Sequence, residues 1–72
     1  MSETSFADAT ARIDAVIADP AVSATFLFAL ADALHEWSRA EAAADHALRS
    51  IDLAMLGIRA IDAAQARLGA AT

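Results

Sequence analysis

Apolar residues recur at helical spacing along almost the whole chain. Phe6, Ala9, Ile13, Val16 and Ile17 form a first stripe, which predicts a short helix over 6–18. Asp19-Pro20 then interrupts the pattern. Proline disfavours helix in the residue before it and suits the first position of the next one, with aspartate as the cap. A second helix is therefore expected to start at Pro20. From Phe26 to Met55 there is no glycine and no proline. Leu30, Leu34, Trp37, Glu41, Ala44, Leu48, Ile51 and Met55 follow at alternating steps of four and three, and Ile58 continues the line. That register reads as a long helix built to lie against another helix. Arg67 in the last turn and Gly69 behind it mark an end near Leu68. The expectation is an all-α helical hairpin, with a short helix over 6–18 and a long one over 20–68. Residues 1–5 and 70–72 are expected as frayed tails. The long arm would measure roughly 70 Å.

One alternative stays open. Ser38-Arg39-Ala40-Glu41 matches a capping box and would break the long helix near Ser38 into a three-helix arrangement, 6–18, 20–36 and 39–68. The stretch holds no Gly, Pro or Asn to turn the chain, so the continuous helix is favoured.

The long helix carries more apolar surface than a short arm can cover. In the last third, Asp45, Arg49, Asp52, Arg59, Asp62 and Arg67 share one arc, while Leu48, Ile51, Leu53, Met55, Ile58, Ile61 and Leu68 spread over the rest. Leu56 falls among the charges. Phe28 lands beside Asp32 and His35, away from the stripe. Contacts on two sides explain this: the first helix on one, a neighbouring molecule on the other. The expected interface residues are Phe26, Phe28, Leu30, Leu34, Trp37, Leu48, Ile51, Met55, Leu56 and Ile58, with the aromatics as anchors. With 72 residues, the chain makes a single small helical domain. Its 22 alanines bury little surface each, so association is the natural source of extra stability.

Charge and chemistry narrow the classes. Ten acidic residues against five arginines and no lysine leave a net charge of −5, which repels nucleic acid and anionic lipid. The longest nearly uncharged window, Ala21 to Ala31, is far shorter than the roughly 20 residues of a membrane span. Glu3, Asp8 and Asp14 make the start acidic, unlike a signal peptide. There is no cysteine, hence no disulfide and no thiolate ligand. His35 and His46 lack the E-x-x-H pairing of carboxylate metal sites in bundles, and read as partly solvated helix residues whose titration could make assembly pH-sensitive. No glycine loop, nucleophile elbow or activating base is visible. A non-enzymatic protein without metal or cofactor is expected. It would be a homo-oligomer or polymer, or a small cytoplasmic adaptor or chaperone that binds a heterologous helical partner.

Five short motifs, Asp19-Pro20-Ala21, Trp37-Ser38, Arg49-Ser50, Met55 and Gly57-Ile58, resemble the long second helix of type III secretion needle subunits. The likeness runs from Asp19 to Ile58. It implies a helical hairpin that polymerises into a hollow filament and is exported without a cleaved signal. The long helix would then pack through Trp37, Leu48, Ile51, Met55 and Ile58.

Overall fold

A computed structural model describes residues 3–70, with side chains from residue 5 onward. Among the described residues there are three helices and no strand: α1 (Glu3–Ala18), α2 (Ala24–Ala43) and α3 (Ala47–Ala70). The molecule measures 42 × 20 × 14 Å. A continuous helix of roughly 70 Å does not fit that length, and the reason lies at Asp45.

The long helix expected from Pro20 to Leu68 is split, but seven residues beyond Ser38. Ala44 ends α2 and Asp45 takes a left-handed backbone with φ 63°. The His46 amide donates to Glu41 O at 2.8 Å and the Asp45 amide to Ala42 O at 3.1 Å. This pair of bonds is a Schellman closure, which usually places glycine at the left-handed residue. Aspartate is one of the few other residues that visits that region, because its short polar side chain bonds locally. The expected absence of turn chemistry overlooked this capacity. Ser38, offered as the cap of a new helix, is instead a buried interior residue of α2. Its Oγ donates to Ser50 O at 2.7 Å and lies 3.0 Å from Ser50 Oγ, tying α2 to α3 beside the turn.

The first turn is also shifted. Asp19-Pro20 does break the chain, but Asp19 Oδ1 accepts from the Ala21 amide at 2.9 Å and closes an Asx turn. The cap of α2 is Ser23, extended at φ −73°, ψ 156°, whose Oγ accepts from the Phe26 amide at 3.1 Å. The helix thus begins at Ala24 rather than Pro20. At the outer ends, Ser5, expected in a frayed tail, lies inside α1, and Gly69 lies inside α3 with negative φ rather than at a left-handed C-cap. Residues 3–5 and 70, expected in tails, are helical, and the rest of the expected tails, residues 1, 2, 71 and 72, lie outside the described residues.

α2 and α3 form an antiparallel hairpin packed along most of its length, and α1 lies against it more lightly. Leu27, Ala31, Leu34 and Ser38 face Leu53, Gly57, Ala60 and Ala64, all of them buried. These sets follow steps of four, three and four, the repeat of one helix face on another. Gly57 marks the close approach: a methyl added there would meet Ala31 O at 3.7 Å and Leu34 Cβ at 3.8 Å, both ordinary contacts.

α1 is held differently. Phe6 and Ile17 are buried at its two ends, with Ile13 half-buried between. Phe6 meets the Trp37 ring edge-on, centroids 5.8 Å apart, and the Arg49 guanidinium sits 5.1 Å from its centroid. Arg59 pairs with Asp14. Arg67 donates to Ala63 O at 3.0 Å, Ile17 O at 3.2 Å and Asp19 O at 2.5 Å. It therefore caps the carbonyl end of α1 while leaning on an interior carbonyl of its own helix. Phe6, Asp14 and Ile17 meet Arg49, Arg59 and Arg67 in the same order, so α1 runs parallel to α3.

Candidate interaction surface

The inner face of α3 is made of Leu53, Gly57, Ala60 and Ala64. Counting round the helix, the opposite face carries Leu48, Ile51, Met55 and Ile58. These four are 79%, 54%, 57% and 60% exposed. Most of the bulk on α3 therefore points to solvent, while mainly small side chains fill the seam. Small residues let α2 and α3 approach closely, which hides the backbone but leaves the larger side chains uncovered.

Two grooves border this stripe. On the α1 side a groove of about 300 Å³ runs past Asp14, Asp52, Met55 and Arg59. On the α2 side a groove of about 190 Å³ is lined by Asp32, His35, Ala54, Gly57, Ile58 and Ile61. Ile58 and Ile61 extend the apolar surface toward α2, and Phe28 lies one turn before Asp32 on that flank. At the other end, Pro20, Val22, Ala63 and Leu68 line an open hollow of about 820 Å³.

The ten residues expected at an interface divide into three groups. Leu48, Ile51, Met55 and Ile58 lie together on the outer face of α3. Phe26 and Phe28 are exposed on α2, but on opposite flanks of it. Leu34 and Leu56 are buried in the molecule's own core, while Leu30 and Trp37 are half-buried against it. Leu56 falls among charges because that flank receives α1, which brings its own apolar residues. Ile61 and Leu68, also exposed, were on the same apolar arc and could have been included.

Polar groups gather at the turn. Glu41 accepts from Trp37 Nε1 at 3.1 Å, and its other oxygen lies 2.5 Å from His46 Nδ1. A carboxylate only accepts, so that nitrogen carries the proton. The His46 bond foremost, then the Trp37 bond, hold the Glu41 carboxyl below its ordinary range, against the opposing effect of burial. This arrangement ties the turn back onto α2. Among the described residues no three His, Asp or Glu side chains gather as metal ligands, and no helix is long and apolar enough to cross a membrane. Comparison with protein-family models, curated proteins and solved structures gives no match.

Proposed function

We propose that this chain is a non-enzymatic assembly protein that associates with copies of itself through the outer face of α3. The observation that supports this reading is the row Leu48, Ile51, Met55 and Ile58, more than half exposed and aligned opposite the core. Covering those side chains on two copies is worth on the order of 10 kcal/mol. The loss of free translation and rotation costs about 4–15 kcal/mol. The two are comparable, so the association is reversible and concentration-dependent. The likeness to needle subunits, taken by itself, favours a growing filament, which would need a second, different contact. A helix of another protein laid on the same row is the alternative.

Solution mass measured by sedimentation tests the proposal. The expected result is a rise from the 7.5 kDa monomer to multiples of it at about 10–1000 μM. Ile51→Asp should abolish that rise while leaving the helical signal unchanged, and the melting temperature unchanged at concentrations where both chains are monomers. A monomer across the whole range overturns self-association and leaves the heterologous partner to be sought by co-purification.

A further inference from the structure

The outer row of α3 has a property that selects how two copies would meet. Its spacing is three, four, three from Leu48 to Ile58, which reads the same from either end. Turned end for end about a twofold axis, the row matches itself: Leu48 meets Ile58 of the second copy and Ile51 meets Met55.

The flanks distinguish this from a parallel pair. Asp52 and Arg59 lie on the α1 side of the row, whereas Ala54 and Ile61 lie on the α2 side. In a parallel pair each copy's charged flank faces the other's apolar flank, which strands charge against alanine and isoleucine. In an antiparallel pair like flanks meet. Ala54 then faces Ala54 across the axis, small enough for close approach. Arg59, still 55% exposed beside Asp14, reaches the turn that holds Asp45 of the second copy. Asp52 meets its own equivalent at the axis, and Asp62, one turn past Ile58, nears Asp45 of the second copy; these are the unfavourable contacts of the arrangement.

Resting on the self-association proposed above, we infer that two copies pair antiparallel and twofold through α3, with the Leu48–Ile58 rows interlocked and the charged flanks side by side. Such an isologous contact is closed, so the product is a dimer that does not grow.

The chain has no cysteine among the described residues or elsewhere in its sequence, so single cysteines report on geometry without background. In an antiparallel pair the two Leu48 positions stand roughly 15 Å apart, beyond disulfide reach. Leu48→Cys alone should therefore stay unlinked under mild oxidation, and so should Ile58→Cys, while an equal mixture of the two should form a covalent dimer. Asp52→Asn should tighten the dimer several-fold by removing the axial repulsion. Linking of Leu48→Cys with itself means a parallel pair and overturns the inference while self-association stands. A wild-type dimer with no linking in any sample means that another face pairs, which overturns both the inference and the chosen surface. Species that keep growing with concentration overturn closure, and a persistent wild-type monomer removes the self-association on which the inference rests.

Discussion

The two faces of α3 invert the usual distribution of bulk. Inward, Leu53 is followed by Gly57, Ala60 and Ala64; outward stand a leucine, two isoleucines and a methionine. Both faces are apolar, so hydrophobicity does not tell them apart. The difference is fit. The inner face is narrow and meets α2 closely, and the outer face is broad and stays more than half exposed in the monomer. A helix of this kind uses small residues to fold and leaves large ones exposed.

The contrast can be broken most strongly by trading one deletion on each face. Leu53→Ala removes a wholly buried side chain and should cost about 2–5 kcal/mol. Met55→Ala, two residues along, should stay within about 0.5 kcal/mol of the parent in monomer stability. Urea unfolding at low concentration compares them, and equal losses would mean that the outer face is packed in solution.

Ser38→Ala tests the polar tie at the turn end of the seam. It removes the donor to Ser50 O inside a buried site and should cost about 1–2 kcal/mol, read by the same unfolding curves. A melting temperature that does not move would show that packing alone sets the hairpin register there.

Gly57→Ala sharpens the inner face. Its new methyl meets only ordinary contacts, and alanine favours helix over glycine by about 0.8–1 kcal/mol. The variant should therefore be more stable by up to about 1 kcal/mol; a loss would mean that the seam is tighter than its geometry indicates.

The smallest effect concerns the turn. Glu41 has a lowered pKa in the folded chain, so it stabilises the fold fully above the unfolded glutamate value, about 4.3. That contribution fades as pH falls through the folded value. Glu41→Gln should flatten this part of the acid limb in a pH series of melting temperatures, and an unaltered limb would refute the assignment.

Much of the fold is legible in the sequence, for reasons visible at particular residues. The stripe from Phe6 to Ile17 marks α1, and Asp19-Pro20 marks its end, because proline leaves little conformational choice. The three-helix alternative anticipated the division of α2 from α3, but its place was hidden. Asp45 turns the chain without glycine, and the line from Leu30 to Ile58 runs across the turn by coincidence of spacing. The true seam, Leu27 to Ser38 against Leu53 to Ala64, is built largely from alanine, glycine and serine. Alanine occurs on every face of this chain, so periodicity carries little signal there. The outer row was legible as a row, but whether it faces a neighbouring helix or solvent depends on where the chain folds back.

The fastening of α1 has a consequence for how the molecule comes apart. Its links to the hairpin lean on guanidinium groups, at Phe6, Asp14 and the Ile17–Asp19 carbonyls, and the exposed ones among these weaken as electrolyte rises. The hairpin, joined by shape, is indifferent to it. Salt should therefore loosen this arm before the hairpin, with Phe6 and Ile17 still held by apolar packing, and a protease should find the Asp19–Ser23 link early.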